Sequence, residues 1–181
     1  PPGRYEIRLL VQREATEKDR HRLSAIRNYN EAEQLRTQQK VEAFRESISK
    51  YEAAIPLYRA ADDPRGEATA LNNLAWVHLQ LGTTPRAIEC LQHALAVWQR
   101  LGDRREEANA LNNLGQVHKE LGEYTTSLLL FERAIAGARA TSNRALEASL
   151  QHNIGNVHFA MNEAQLALNA YNKALPLLRE V

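Results

Sequence analysis

Between residues 65 and 181 apolar side chains return every three or four positions, the spacing that gathers them on one face of an α-helix. Leu71, Leu74, Val77, His78 and Leu81 mark one segment; Ala87, Ile88, Leu91, Ala94, Leu95 and Trp98 mark the next. Polar punctuation separates them. Gly82 suits the left-handed position that ends a helix, and Thr84-Pro85 offers a capping hydroxyl followed by a proline in the first turn. Gly102-Asp103, Gly122-Glu123 and Ser142-Asn143 repeat the punctuation, and Asp62-Asp63-Pro64 precedes the first full segment. The pattern predicts helices near 65–81, 85–101, 104–121, 124–141, 144–161 and 164–180.

The segments are copies. Leu71-Asn72-Asn73-Leu74-Ala75-Trp76-Val77-His78 recurs at 111–118 and, as Gln151-His152-Asn153-Ile154-Gly155-Asn156-Val157-His158, at 151–158, an offset of 40 residues each time. The same offset relates Leu91, Phe131 and Tyr171, then Ala94, Ala134 and Ala174, then Leu95, Ile135 and Leu175. Tyr51, Ala54 and Ile55 keep the register in an earlier half-copy. Each period is a helix pair, which gives repeats at 62–101, 102–141 and 142–181 behind an irregular first repeat within 16–61. A small residue at Ala75, Gly115 and Gly155 opposite Ala94, Ala134 and Ala174 lets the two backbones of a pair approach closely. One pair cannot bury its apolar face alone, so neighbours must stack, and the fold class is an all-α solenoid of antiparallel helix pairs.

Ahead of the repeats, Tyr5-Glu6-Ile7-Arg8-Leu9-Leu10-Val11 alternates weakly after Pro-Pro-Gly and reads as a short strand, so residues 1–15 are taken as an extended remnant of an upstream domain or a linker. Thr16-x-x-Asp19 reads as a capping box that opens a long helix. Its apolar positions Leu23, Ile26, Tyr29, Ala32 and Leu35 are expected to form one stripe facing the next helix, near 42–61. Pro56 and Pro176 fall inside second helices, where a proline removes a hydrogen bond and should bend the helix.

These copies resemble the tetratricopeptide repeat. Leu114-Gly115-x2-His118 fills its L-G-x2-Y slots with His for Tyr, Ser127-x3-Phe131 and Ala167-x3-Tyr171 fill its A-x3-F slots, and Gln99, Arg139 and Arg179 stand where its last proline would be. The period is longer than the usual 34 residues, which implies longer helices. HEAT-type repeats share the longer period, but the small residue at Ala75, Gly115 and Gly155 favours the tetratricopeptide form. The resemblance implies a right-handed superhelix with its first helices on the concave side. A Pro-Gly-x-Tyr strand, a charged helix and copies containing Leu101-Gly102-Asp103-Arg104-Arg105 are also similar to bacterial multi-repeat proteins that end in a caspase-like CHAT peptidase domain. That likeness implies a scaffold or recognition segment whose catalytic domain would lie beyond Val181, and no catalytic residue is carried over from it.

Composition narrows the chemistry. With 23 Lys and Arg against 22 Asp and Glu the chain is close to neutral, which argues against a nucleic-acid track; Arg104-Arg105 is balanced by Glu106-Glu107. Cys90 is the single cysteine, and neither a leader nor a membrane-spanning apolar run is visible, so a cytoplasmic setting is expected. The chain starts Pro1-Pro2-Gly3 without Met and is read as a piece of a longer protein. His78, His118 and His158 recur with the repeat, but neighbours on successive helix layers stand roughly 10 Å apart, too far to share an ion at bonds of about 2 Å. They are read as packing residues in the Tyr slot. Cys90-x2-His93 has no orienting acid and is not read as a dyad. No P-loop, nucleophile elbow or zinc-protease motif occurs, and neither enzymatic activity nor a cofactor or metal is expected.

Asparagine carries the functional reading, because its amide offers a donor and an acceptor at once and can clamp a peptide backbone. By the tetratricopeptide resemblance, the concave groove would hold Asn72, Asn73, Trp76 and Gln80 from the first full repeat. Asn112, Asn113, Gln116 and Lys119 would follow, then His152, Asn153, Asn156 and Phe159. The alternative is that Asn73, Asn113 and Asn153 only tie neighbouring helices together. Two functions result: a non-catalytic module that binds a peptide or neighbouring domain in this groove, or a spacer between an upstream β-domain and a downstream effector. At the far end Leu175 is expected to face its own partner helix and Leu178 to be partly bare, favouring weak self-association through that face.

Overall fold

The computed structural model describes residues 14–179; the strand expected at 5–11 lies outside the described residues. Eight helices follow one another: α1 Glu17–Arg36, α2 Val41–Ala60, α3 Pro64–Gln80, α4 Thr84–Leu101, α5 Arg104–Glu120, α6 Tyr124–Ala140, α7 Arg144–Ala160 and α8 Ala164–Arg179. Bounds read from the sequence agree to within a residue or so. No strand occurs among the described residues. Each odd helix packs most extensively on the helix after it, and each even helix packs on the next odd one, so the pairs stack in chain order into an α-solenoid.

Joints recur every twenty residues because one residue at each takes a left-handed conformation: Asp62, Gly82, Gly102, Gly122, Ser142 and Asn162 all have positive φ. Two kinds of start then alternate. Between repeats, the side chains of Asp63, Asp103 and Asn143 accept from the backbone N–H of Gly66, Glu106 and Leu146. Within repeats, the residue before the second helix is spent differently. Thr83 precedes α4, and its hydroxyl donates to the His78 carbonyl and meets His78 Nδ1 at 2.8 Å. The capping hydroxyl expected from Thr84 is therefore a correction: Thr84 is already helical, and Thr83 makes no side-chain cap. Glu123 and Glu163 occupy the Thr83 position and meet His118 and His158 Nδ1, each at 2.6 Å.

The core runs along the stack as linked clusters, with Cys90, Leu95 and Leu130 each packed against more than one. Alanines at positions such as 25, 54, 75, 94 and 134 are fully buried, which permits close helix approach. At Gly115 and Gly155 the contact is tighter still, because the rings of Phe131 and Tyr171 occupy the space a Cβ would need. Ser127, in the expected alanine slot, is fully buried and donates to the Gly115 carbonyl at 2.7 Å. The slots that lack proline carry donors across the repeat junction: Arg59 to Glu67, Gln99 to Glu107 and Arg139 to Glu147. The helix assignments run continuously through Pro56 and Pro176, and both prolines are exposed.

Two expectations about faces are corrected. In α1, Leu23 is 65 % and Ile26 40 % exposed, while Ala25 and Ala32 are the buried positions. A strict step of three slips about 60° per step on a 3.6-residue helix, so five such positions cannot share a face. At the other end Leu175 is 52 % exposed instead of covered by its partner helix. Its counterpart Ile135 is buried with Leu150 and Val157 of the following helix, so the slot serves contact between repeats and not within one. Leu178 is exposed as expected, and with His152, Tyr171, Ala174 and Leu175 it borders an apolar hollow.

Gln151 breaks the repeat. It stands where Leu71 and Leu111 are buried and is itself 7 % exposed. It borders a cavity of about 410 Å³ between α6, α7 and α8, where Ala170 replaces the larger Leu130 of the preceding copy. Gln151→Leu should stabilise the protein by about 1 kcal/mol, since it restores the aliphatic side chain of the other copies against its neighbours. Urea denaturation should show a raised midpoint with an unchanged slope.

Candidate peptide-binding groove

The asparagines of the first helices form a ladder. Asn73 Nδ2 of α3 donates to Tyr29 Oη and to Glu33 Oε1 of α1, both at 2.8 Å. Asn113 Nδ2 of α5 donates to Asn72 Oδ1 at 2.9 Å, and Asn153 Nδ2 of α7 donates to Asn112 Oδ1 at 3.0 Å. Each rung joins the odd helices of successive pairs, and all these side chains are only partly buried. The helix-tying role is therefore present. Between Asn72 and Asn113 it uses one half of each amide and leaves Asn113 Oδ1 and Asn72 Nδ2 without a partner among the described residues.

At its lower end the ladder stands on Glu33. This carboxylate accepts from Arg36, from the fully buried Tyr51 and from Asn73. Burial opposes its ionisation, but the hydrogen bonds from Arg36, Tyr51 and Asn73 outweigh that and hold its pKa below the usual carboxylate range. Burial and the same carboxylate push the Tyr51 phenol well above its ordinary value, and burial, then Glu33, raises Tyr29. Arg36 also lies over the Trp76 ring, 5.0 Å from its centroid, while Phe44 meets that ring edge-on at 5.6 Å.

Trp76, Asn72, Asn73, Asn113 and Gln116 converge on one cavity of about 180 Å³, floored by Leu79, Leu91 and Val117. Of the other expected groove residues, Asn112 and Asn153 make the next rung up, and Asn156 accepts from the Tyr171 hydroxyl at 2.8 Å. His152 stacks obliquely on Tyr171 and borders the terminal apolar hollow. Gln80 and Phe159 are exposed; these two and Lys119 border none of the cavities described here. Tyr29, Glu33 and Arg36 were not among the expected residues, although stepping the period back from Asn73 lands on Glu33. The three repeated histidines are each spent on the turn of their own repeat, and burial lowers the His78 pKa. Burial, with Glu89 and Glu52 adding to it, pushes the Cys90 thiol up to about 11. No group of three or more potential metal ligands occurs among the described residues.

Stacked helix pairs with a polar, amide-lined side define a class: the α-solenoid scaffold that presents one long surface. The chain belongs to the tetratricopeptide repeat family, whose model matches residues 36–100, 78–140 and 106–180. Among solved structures it is similar to BtubC from P. vanneervenii, at 22 % identity over 92 % of this chain and 75 % of that one, with a TM-score of 0.62. It is also similar to aspartyl phosphate phosphatase F from Bacillus subtilis, at 13 % identity and TM-score 0.79, over 90 % of this chain but 42 % of the other. TPR-like repeats of a kinesin light chain from Podospora anserina align at 16 % identity and TM-score 0.69, covering 87 % of this chain and 77 % of theirs. Identities this low speak to the fold alone. A search of curated proteins finds no match. Tetratricopeptide arrays generally mediate protein–protein interaction and are generally non-catalytic. No described helix is long and apolar enough to cross a membrane.

Proposed function

We propose that this array is a non-catalytic interaction module that holds an extended peptide, or an extended segment of a neighbouring domain, along its odd helices. The observation that carries the reading is the asparagine ladder beside the Trp76 cavity: each of the two asparagine–asparagine rungs keeps a carbonyl and an amino group for a ligand backbone. A backbone strand presents the complementary N–H and C=O, so it can bridge successive rungs without any charge of its own. The spacer reading, with the array setting the distance from an upstream β-domain to a downstream effector such as a peptidase domain, draws on the junction pairs Arg59–Glu67 and Arg139–Glu147, which stiffen the stack. It requires no ligand.

A library of acetylated, amidated hexapeptides separates the two. The groove reading expects saturable binding that falls roughly tenfold in Asn113→Ala and in Gln116→Ala. Losing one half-buried tie should cost the fold only about 0.5–1.5 kcal/mol, leaving the helical circular dichroism intact. Unfolding in parallel with lost binding, or no binding at all, favours the tie and the spacer.

A further inference from the structure

Two cavities share one rung of the ladder. Asn72 and Asn113 border both the Trp76 cavity and a second one of about 280 Å³ between Thr69, Trp98 and Glu106. The first is aliphatic at its floor; its arginine, Arg36, is already neutralised by a two-pronged pair with Glu33, and its one lining carboxylate, Glu120, is exposed to water, whereas Glu106 is half-buried. The second differs in charge. Among the described residues Glu106 is the only carboxylate or cation on its wall and has no cationic partner: its carboxylate accepts from Asn109 Nδ2 at 3.3 Å. The nearby Arg65 is committed to Asp103 at 2.7 Å.

Neither feature is demanded by the repeat. Gly66 and Leu146 occupy the Glu106 position in the neighbouring copies, and Tyr58 and Ala138 occupy that of Trp98. The Trp98 indole is buried and Arg65 already lies over it, 5.9 Å from the ring centroid, so a cationic side chain arriving at this junction gains from the Glu106 carboxylate and not from the ring. Alternate side chains of an extended strand project to the same side, roughly 6.6 Å apart, a step suited to neighbouring cavities divided by a single pair of amides.

We infer that the groove selects a peptide carrying an aliphatic side chain and a Lys or Arg two residues apart, the aliphatic one beside Trp76 and the cation on Glu106. The inference rests on the peptide-groove reading above. Between the two side chains the peptide backbone crosses the rung, where Asn113 Oδ1 accepts its N–H and Asn72 Nδ2 donates to its carbonyl.

Positional scanning of the same hexapeptide library tests it. Lys or Arg should be enriched at one position and Leu, Ile or Met two positions away. Glu106→Gln should lower affinity for basic peptides roughly tenfold and leave their uncharged counterparts unchanged. Glu107→Gln, an acid that instead accepts from Gln99, should change neither. Because glutamine is accepted in the first turn of a helix, unchanged circular dichroism is expected for both variants. Peptides bound without a basic preference, or with one that survives Glu106→Gln, overturn the selectivity while leaving the groove intact. No peptide binding at all overturns the groove reading and the selectivity with it.

Discussion

Replacing Glu33 by Ala should cost about 2–4 kcal/mol, because one truncation leaves Arg36, Tyr51 and Asn73 without their common acceptor. Tyr51 is fully buried, so water cannot replace the lost carboxylate at its hydroxyl without opening the pair. The effect should be local first. Glu33 is the point at which α1 is held to both α2 and α3, so amide exchange should rise through α1 and α2 before the later repeats loosen. The sign of the pH dependence follows from the lowered carboxylate pKa. Unfolded chains take up the Glu33 proton at higher pH than folded ones, so this stabilisation is complete above the unfolded carboxylate value and is lost as pH falls through the folded one. Urea titrations of wild type and Glu33→Ala should therefore differ most near neutral pH and draw together as the pH falls below the usual carboxylate range. A gap independent of pH would show that packing, not the charge, holds α1.

The second large effect lies at the helix crossing inside a repeat. Phe131 is fully buried and its ring fills the space next to Gly115, so Phe131→Ala should cost about 3–5 kcal/mol. Gly115→Ala tests the same contact from the other side. In an open helix this change would stabilise by about 1 kcal/mol. Here the new Cβ would fall 2.6 Å from Phe131 Cε1, and a ring packed on all sides cannot swing away, so an overpacking cost of about 1–3 kcal/mol should win. The preceding repeat shows the compatible solution, with Ala75 and Leu91 buried in one cluster at the same two positions. The double variant Gly115→Ala with Phe131→Leu should be more stable than the sum of the two single changes, with a coupling of about 1–2 kcal/mol in a denaturation cycle. Strict additivity would mean that the glycine is there for another reason.

How much was legible differs from residue to residue. The joints could be read because their chemistry is local: a left-handed residue followed by Asp or Asn stops one helix and starts the next within a few bonds. Thr83 and Thr84 mark the limit of that logic. Either hydroxyl could cap by sequence, and only the position of the His78 ring shows that Thr83 is turned toward the histidine and leaves the helix start uncapped. Asn113 and Asn153 were visible as candidates, but a repeating asparagine looks the same whether it faces a ligand or a neighbour. The structure shows it doing the second with one half of its amide. Glu33 and Glu106 were not singled out, since a glutamate on an amphipathic helix is most often a solvated one.

The fold follows from local chemistry along the chain: an apolar rhythm near 3.6 residues sets helices, a forty-residue echo sets their pairing, and small residues opposite large ones set how closely the pair may cross. All three are properties of a residue and its near neighbours, repeated. Tertiary structure alone decided which polar groups meet. Asn113 pairs with Asn72, and Asn73 with Tyr29 and Glu33, through the register of one helix against the next, a relation that a single helix cannot encode. It likewise decided that Leu175 faces outward, because a slot whose partner is the following repeat is covered only where another helix lies against it. Cavities belong to the same category: the space beside Trp76 exists only once four helices have come together and the space beside Glu106 only once three have, since each is bordered by residues of all of them.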